Sequence, residues 1–258
     1  MSEFILEARG ISKSFGGLRA LIDVDFTLKK GEVVGLVGDN GAGKSTLIKV
    51  LTGVHEPDTG KIILEGQEIR FRGRKHAKSL GIECVYQDLA LVDSLNAPAN
   101  VFLGSELCRT FLGMRFLAND LMKKEALRVL KERMSISLGK VDDEVLYLSG
   151  GQKQAVAITR AIYKDTTRVL VLDEPTAALG PEETDRVLSL VKTLSSQGMP
   201  IIVIAHNLEH VFDVSDRIVV LRRGQCAGVR ETKKTTRKEV LGLIVGADEE
   251  SVSYVEQQ

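Results

Sequence analysis

The chain has 258 residues with 35 basic and 35 acidic side chains, so its bulk charge gives no argument for a nucleic-acid surface. Its three cysteines, Cys84, Cys108 and Cys226, are far apart in the sequence, which favours reduced thiols in a cytoplasm over a disulfide framework. The N-terminus is not typical of a signal peptide, and the longest apolar runs are too short to cross a bilayer. We therefore expect a cytoplasmic globular protein.

The N-terminal third contains short apolar runs separated by turn-forming residues such as the glycines at 16 and 17, which favours antiparallel strands. One run, EVVGLV at 32–37, leads directly into the glycine-rich segment GDNGAGKST at 38–46. Apolar residues at helical spacing follow, so a strand, a loop and a helix are predicted in succession. The predicted elements here are strands at 4–8, 23–28, 32–37, 61–64, 68–71 and 81–87 and a helix at 46–51.

The C-terminal half alternates strand-like and helix-like patterns, which is typical of a mainly parallel α/β sheet. A helical stretch at 88–154 interrupts this alternation and is predicted to form a separate lobe. The final segment DEESVSYVEQQ is expected to be loose. The predicted elements are a helix at 120–135, a strand at 168–172, a helix at 182–195, a strand at 200–205, a last strand at 216–221 and a closing helix at 236–247 with Thr236 as N-cap.

The segment Gly38-x-x-x-x-Gly43-Lys44-Ser45 matches the phosphate-loop pattern in its required strand–loop–helix context. Its glycines let backbone N–H groups point toward the β- and γ-phosphates at the positive end of the following helix. Lys44 supplies a mobile positive charge for those phosphates, and the Ser45 hydroxyl is a hard oxygen ligand for Mg²⁺. The alternative, a glycine-rich turn without a ligand, is disfavoured by the combination of strand, loop and helix.

A strand in the second half ends in two carboxylates, Asp173 and Glu174, within the sequence RVLVLDE at 168–174. A parallel strand of this kind carries Asp173 to the carboxyl edge of the sheet, where Mg²⁺ would lie beside the phosphate loop. Glu174, one residue further on, would reach the water that attacks the γ-phosphate. The alternative is an acidic pair that only caps a helix, and the neighbouring phosphate loop disfavours it.

Two further polar residues follow predicted strands. His206 comes after PIIVIA at 200–205 and is expected at the same edge of the sheet, with a solvated histidine as the alternative. Gln87 ends the predicted strand at 81–87, where its amide oxygen could reach Mg²⁺ or the attacking water; without that context it would be read as a surface glutamine.

The segment HNLEH at 206–210 also fits the inverted zinc-protease pattern H-x-x-E-H. That chemistry requires both histidines on one helix and a third ligand further along the chain. Here His206 follows a predicted strand, and no histidine follows His210. The sequence context therefore disfavours zinc.

A second glycine-rich turn, LSGGQKQ at 148–154, is not needed to hold a single nucleotide that already has a phosphate loop. The phosphate loop, Gln87, LSGGQKQ, the acidic strand VLVLDEPT at 169–176 and His206 together resemble the ATP-binding cassette (ABC) family, in that family's order and approximate spacing and over nearly the whole chain. LSGGQ is the most specific element, because other phosphate-loop ATPases carry the loop and the acidic strand without it.

The resemblance implies a P-loop NTPase, RecA-like α/β fold, with a mainly parallel sheet, an N-terminal antiparallel β subdomain and an inserted helical subdomain. The ATP-binding core would comprise 1–87 and 155–230, and the helical signature subdomain would comprise 88–154. A C-terminal helix and the loose tail would occupy 231–258.

The resemblance also implies roles for individual residues. Glu174 would be the catalytic carboxylate, His206 the switch histidine at the γ-phosphate, and Gln87 the sensor of Mg²⁺ and the attacking water. Mg²⁺ would be held by Ser45, Gln87 and Asp173. ATP would contact Phe15, which would stack on adenine, together with Gly38, Asn40, Gly41, Ala42, Gly43, Lys44, Ser45 and Thr46. Ser149, Gly150, Gly151 and Gln152 would bind ATP held by a partner subunit, and these four are called the signature residues below.

Within the family, the segment GIECVYQDLALVDSLNAPANVFLGSE at 81–106 resembles the monosaccharide-import group. This resemblance implies an ATP-hydrolysing importer subunit, peripheral on the cytoplasmic face of the cell membrane, with no nucleic-acid partner. Its partners would be permease subunits in the membrane, an extracytoplasmic sugar-binding protein acting indirectly, and a second cassette, expected to be another copy of this chain. Import of another small solute, and a soluble non-transport ABC ATPase acting on DNA or ribosomes, are the alternatives.

The chain departs from the family pattern in three respects. Gly180 occupies a position where many members have an aspartate that bridges two subunits, which puts the cross-talk between sites in question. Many sugar ATPases are double cassettes of about twice this length, so this chain would find its second cassette elsewhere. The segment after the last predicted strand is too short for the regulatory β-domain of some other sugar ATPases.

Overall fold

The secondary structure is described for residues 3–111, 113–134 and 141–246 of a computed structural model. Within these residues, the strands are β1 (Phe4–Phe15), β2 (Leu18–Lys29), β3 (Val33–Val37), β4 (Thr59–Leu64), β5 (Gln67–Ile69), β6 (Ile82–Val85), β7 (Cys108–Phe111), β8 (Met114–Leu117), β9 (Val169–Asp173), β10 (Ile201–Ile204), β11 (Arg217–Arg222) and β12 (Gln225–Glu231). The α-helices are α1 (Lys44–Leu51), α2 (Arg74–Ser79), α3 (Ala97–Val101), α4 (Asn119–Arg128), α5 (Gly150–Ile162), α6 (Pro181–Ser196), α7 (Leu208–Val214) and α8 (Arg237–Val245).

The larger sheet has the strand order β12-β11-β3-β10-β9-β6 and is parallel except where β12 joins β11. All residues of β3 and β10 are buried, as expected for strands covered on both faces of a sheet. In the register, Ile204 is opposite both Leu36 of β3 and Asp173 of β9. The carboxyl ends of these three strands therefore meet at one edge, which is where a phosphate-binding site was expected.

The N-terminal strands form a separate antiparallel sheet in the order β2-β1-β4-β5. One apolar core lies between this sheet, α1 and one face of the parallel sheet, and it includes Leu36 and Leu47. A second core lies on the other face with α5 and α6 and includes Ile158 and Val191. The prediction of a mainly parallel α/β sheet with an antiparallel β part is confirmed.

Two hairpins differ from the expectations. The strand at 216–221 was expected to be the last, but β12 follows it in a hairpin whose turn residues Arg223 and Gly224 both have positive φ, 50° and 79°. β12 is a partly exposed edge strand, so it lacks the apolar run that marks a buried strand. Strands β7 and β8 form a second hairpin inside the stretch predicted to be helical, and all of their residues are exposed.

The segment between β6 and β9 is otherwise mainly helical. Asn100, in α3, is completely buried, and its side chain fixes the preceding loop. Its Oδ1 accepts a hydrogen bond from the N–H of Val92 at 2.7 Å, while Nδ2 lies 3.0–3.2 Å from the carbonyl oxygens of Val92, Leu95 and Asn96. One amide side chain thus holds the loop that leads from Gln87 into the helical segment.

The predicted helices at 120–135 and 236–247 are present with shifted ends. α4 begins one residue earlier, ends at Arg128 and continues into a π-helical turn at Val129–Arg133. In α8 the Thr236 side chain accepts a hydrogen bond from the N–H of Glu239, so the predicted N-cap is confirmed. The segment DEESVSYVEQQ lies outside the described residues. Among the helices described, none is both long and apolar enough to cross a membrane.

Candidate active site

The loop at 38–43 connects β3 to α1 and turns sharply at its glycines. Gly41 and Gly43 have φ values of 79° and 106°, which L side chains rarely adopt. A Cβ on Gly43 would lie 2.7 Å from the carbonyl oxygen of Ala20, so a larger residue would also collide with β2. The loop is further tied to the β11–β12 turn by a 3.0 Å hydrogen bond from the N–H of Gly224 to the carbonyl oxygen of Ala42. These backbone conformations and contacts therefore fix the loop and the direction of its N–H groups.

Lys44 is the first residue of α1 and folds back over this loop. It is only 7% exposed, and its Nζ donates hydrogen bonds to the carbonyl oxygens of Gly38 at 2.6 Å and Asp39 at 3.0 Å. Burial lowers the pKa of Lys44 below its ordinary value, while the carboxylates of Glu174, Asp39 and Asp173 oppose that shift. A buried ammonium group at a helix N-terminus is an electropositive site suited to phosphate.

Asp173 and Glu174 lie across from the loop, at the carboxyl end of β9. Burial, together with the negative charge of Glu174, raises the pKa of Asp173, whereas Lys44 and His206 lower it. Glu174 adopts φ of 51°, a conformation that non-glycine residues rarely take, and its N–H donates to the carbonyl oxygen of Ile204 at 2.9 Å. Backbone strain of this kind commonly occurs at functional sites.

His206 follows β10 and pairs directly with Glu174. Its Nε2 lies 2.7 Å from Glu174 Oε1, with the histidine side chain 48% exposed and the glutamate 21% exposed. The nearby His210 belongs to α7 and contacts Thr176 Oγ1 through Nδ1 at 3.0 Å. Because His206 precedes α7 and the two imidazoles have different partners, the helix-borne histidine pair that the zinc alternative requires is not formed.

The phosphate loop, Lys44, Glu174 and His206 line one cleft of about 300 Å³. Phe15 lies at its side with 43% of its surface exposed, and the His55 ring meets it edge to face at 5.1 Å between centroids. An exposed aromatic next to a phosphate loop is available to stack on a purine base. The lining is Phe15, Leu18, Arg19, Ala20, Asp39, Asn40, Gly41, Ala42, Gly43, Lys44, Ser45, Thr46, Glu174, Ile204 and His206.

Three residues predicted for the cleft, Gly38, Asp173 and Gln87, are not in its lining. Gly38 is behind the loop, where a Cβ would lie 2.2 Å from the carbonyl oxygen of Leu221. Asp173 is the last residue of β9 and immediately precedes Glu174. Gln87 is exposed and follows β6, which pairs with β9 so that Val85 is opposite Leu172. Gln87 thus belongs to the same edge of the sheet, but it does not line the cleft.

The signature residues lie elsewhere. Ser149 is the N-cap of α5, and its hydroxyl accepts a hydrogen bond from the N–H of Gln152 at 3.4 Å. In return, Gln152 Oε1 accepts from the N–H of Ser149 at 3.0 Å, which completes a capping box. The lining of the cleft, as far as the chain is described, includes none of the four residues Ser149–Gln152. A single copy of the chain therefore presents the phosphate loop and the signature turn as two separate groups of donors.

Sequence reasoning missed some of the cleft. Leu18, Arg19 and Ala20 open β2 and border the loop, although only Phe15 was singled out in this region. The glycine pair at 16 and 17 was the available signal, because a hairpin turn beside Phe15 places the start of β2 next to the same cleft.

Gly180, where many members of the family have an aspartate, is the N-cap of α6, and nothing lies within 4 Å of the position a Cβ would take.

Comparisons with known proteins show which family the chain resembles over most of its length. A family model described as ABC transporter matches residues 21–177. The chain is 42% identical over 236 residues to the xylose/arabinose import ATP-binding protein XylG of Sulfolobus acidocaldarius, covering 92% of both proteins. It is 42% identical over 250 residues to the fructose import ATP-binding protein FrcA of Rhizobium meliloti, covering 96% of both. It is 40% identical to the ribose import ATP-binding protein RbsA of Caldanaerobacter subterraneus subsp. tengcongensis, of which it spans only 48%.

Solved structures show the same fold. The ADP conformation of MJ1267, an ATP-binding cassette of an ABC transporter, superposes with a TM-score of 0.80 and 25% identity over 98% of this chain and 99% of that chain. CbiO1 of Clostridium perfringens, part of the ABC transporter complex cbiONQ, gives a TM-score of 0.77 with 27% identity over 99% and 100% of the two chains.

The parallel sheet, the phosphate loop and the paired carboxylates define a phosphate-loop ATPase, which binds ATP and hydrolyses it to ADP and phosphate. The chain belongs to the ABC transporter family.

Proposed function

We propose that this ATPase powers the import of a sugar. The sugar would cross the membrane through a separate permease and would not bind to this chain. The observation that carries the proposal is the similarity to XylG and FrcA, which have nearly the length of this chain and are 42% identical to it. Both are named as import ATP-binding proteins, one for xylose and arabinose and the other for fructose. A peripheral position on the cytoplasmic face of the membrane follows, with permease subunits as direct partners and a sugar-binding protein as an indirect one.

The separation of the two glycine-rich turns supports a shared site. Phosphate-binding donors occur at the cleft and again at the N-terminus of α5, and the four signature residues do not line the cleft. In the proposed dimer of two copies, the Ser149 turn of one subunit completes the cleft of the other. Hydrolysis would then require closure of the dimer, which ties the chemistry to a conformational cycle.

The chemistry proposed for the cleft consists of positioning and proton transfer. Lys44 and the loop N–H groups would bind the β- and γ-phosphates, and Phe15 would stack on adenine. Glu174 would accept the proton of the attacking water. In the free subunit Glu174 Oε1 and His206 Nε2 satisfy each other at 2.7 Å. ATP would draw His206 toward the γ-phosphate and leave the carboxylate free to accept that proton.

Mg²⁺ is part of the proposal because the residues present suit it. The Ser45 hydroxyl, the Gln87 amide oxygen and the Asp173 carboxylate are hard oxygen donors of the kind that Mg²⁺ prefers. Burial and the neighbouring carboxylate of Glu174 raise the pKa of Asp173. A cation bound there would therefore relieve an unfavourable negative charge. Ser45, Gln87 and Asp173 would hold the ion, which when bound would neutralise charge on the β- and γ-phosphates.

An uptake experiment tests the proposed function. A strain without this chain is given the wild-type chain, the variant Lys44→Ala or the variant Lys75→Ala, and the uptake of labelled monosaccharides is measured. Lys75 is an exposed lysine on α2, away from the cleft, so it is the matched control. We expect the wild type and Lys75→Ala to restore uptake of one sugar, and Lys44→Ala to restore none because ATP binding is lost.

Isolation of the chain from its native membrane separates the alternatives. A permease and a sugar-binding protein should accompany both the wild type and Lys44→Ala, since assembly does not depend on the buried ammonium. Unchanged uptake of every sugar, together with recovery of ribosomes or DNA with the chain, would contradict the importer. Restored uptake of a small solute that is not a sugar would replace the sugar with that solute.

A further inference from the structure

A carboxylate of the chain itself lies against the signature turn. Glu183 is the third residue of α6, which begins at Pro181 with Gly180 as N-cap. From there its carboxylate interacts with the Ser149 hydroxyl and with the backbone N–H groups of Gly150, Gly151 and Gly180. These interactions, of which the one with the Ser149 hydroxyl is the largest, lower the pKa of the Glu183 carboxyl.

The packing around this turn is close. A Cβ placed on Gly150 would lie 3.2 Å from Glu183 Oε2 and 2.5 Å from Leu179 Cδ2, and one on Gly151 would lie 3.4 Å from Glu183 Cβ. Gly150 and Gly151 thus pack against Leu179 and Glu183 in the free subunit, while Ser149 stays exposed. The glycines permit this approach because they have no side chains.

The donors that Glu183 engages are the ones assigned to the partner's nucleotide. Ser149, Gly150 and Gly151 present a hydroxyl and the first N–H groups of α5, at the positive end of a 13-residue helix. A carboxylate oxygen and a phosphate oxygen can accept hydrogen bonds from the same donors, and the two anions repel each other at close range. The γ-phosphate cannot occupy the turn while the Glu183 carboxylate does.

A capping role for α6 explains only part of this contact. A glutamate at the third helical position commonly reaches back to the N–H of the N-cap residue, here Gly180. That bond requires no contact with α5. The additional interactions with Ser149, Gly150 and Gly151 connect the N-termini of two helices through one carboxylate.

We propose that Glu183 is an internal competitor for the γ-phosphate at the signature turn: it occupies the turn in the free subunit and is displaced when ATP held by the partner docks there. This inference rests on the proposed sharing of sites between subunits. Displacing Glu183 sets a free-energy threshold for closure, so two copies close only at sufficient ATP. The segment from Leu179 to Glu183 moves as part of that step.

ATP-dependent dimerisation tests the competition. All variants carry Glu174→Gln, so that bound ATP is not consumed, and the ATP concentration giving half-maximal dimer is measured by light scattering. We expect Glu183→Gln and Glu183→Ala to lower that concentration about three- to tenfold. Glu182→Gln is the matched control, because the neighbouring glutamate is exposed and lies against Arg186 on its own helix, 3.7 Å away. It should leave the concentration unchanged.

The outcomes distinguish the possible failures. If Glu183 only caps α6, both Glu183 variants should lower the melting temperature and leave the ATP requirement unchanged or raise it, and that result overturns the competition alone. If the Glu174→Gln protein forms no dimer at any ATP concentration, the shared site of the proposed function and the competition are overturned together. A lower ATP requirement accompanied by a lower melting temperature supports the competition, because a purely structural role cannot produce both.

Discussion

Asp173 and Glu174 are neighbours at the end of β9, where burial and like charge disfavour ionisation of Asp173. A carboxyl group whose pKa is raised in the folded state binds its proton more tightly there than in the unfolded chain. Stability therefore falls as pH rises from the ordinary pKa of 3.8 through the raised value, and the full penalty is present above it. The active site thus contains a carboxylate that lowers the stability of the nucleotide-free protein, as functional sites often do.

The variant Asp173→Asn tests this penalty. We expect it to raise the melting temperature of the nucleotide-free protein by a few degrees at neutral pH, because the amide carries no charge. The gain should shrink as the pH falls through the raised pKa toward 3.8 and vanish below 3.8, where the wild-type carboxyl is protonated in both states.

Asp185→Asn is the control for this comparison, since Asp185 is an exposed residue of α6. Its melting temperature should equal that of the wild type at every pH. A lower melting temperature for Asp173→Asn at neutral pH would contradict the account, and it would mean that the attraction between Asp173 and Lys44 outweighs burial.

At the scale of single elements, α3 and the loop before it depend on one amide. Asn100 is completely buried and makes hydrogen bonds to the backbone of Val92, Leu95 and Asn96. Removing its side chain would take away these hydrogen bonds, including the one that satisfies the Val92 N–H, and would leave a cavity at a completely buried position.

We expect Asn100→Ala to lower the free energy of unfolding by about 2–4 kcal/mol, measured by urea denaturation. Asn119→Ala, at the exposed start of α4, should change it by less than about 0.5 kcal/mol. Equal stability of Asn100→Ala and the wild type would show that water or a rearranged loop satisfies the freed groups.

The elements differ in how readily the sequence predicts them. The loop at 38–43 and the helix after it were predicted because both depend on local chemistry: glycines for unusual φ values and apolar residues at helical spacing. β12 and the β7–β8 hairpin were missed because their residues are partly or fully exposed and carry no buried pattern. For those strands, the Arg223–Gly224 and Gly113 turns were the available signals.

The site shows the same division between local and distant contacts. The meeting of Lys44, Glu174 and His206 could be predicted, since parallel strands end at a common edge. The contact of Glu183 with Ser149 could not, because it joins two helices far apart in sequence whose approach depends on tertiary packing. The division of the chain into 1–87 with 155–230, 88–154 and 231–258 stays a prediction, and α5 runs across its 154/155 boundary.

For the whole molecule, the central claim is that each ATP is held by two copies of the chain. The cleft supplies the phosphate loop, and the signature turn lies apart from it. On the proposed model, Lys44→Ala would disable the loop of its own subunit. Ser149→Arg would place a large side chain at an exposed residue of the signature turn and disable the site of the partner.

The most direct measurement is the ATP turnover of these two variants, alone and mixed. Each variant alone should be inactive, because every site in its dimer is defective. In the mixture, each heterodimer joins an intact loop from one subunit to an intact signature turn from the other, so turnover should recover to roughly a quarter of the wild-type value per subunit. No recovery in a mixture shown to contain heterodimers, or full activity of Ser149→Arg alone, would contradict the shared site.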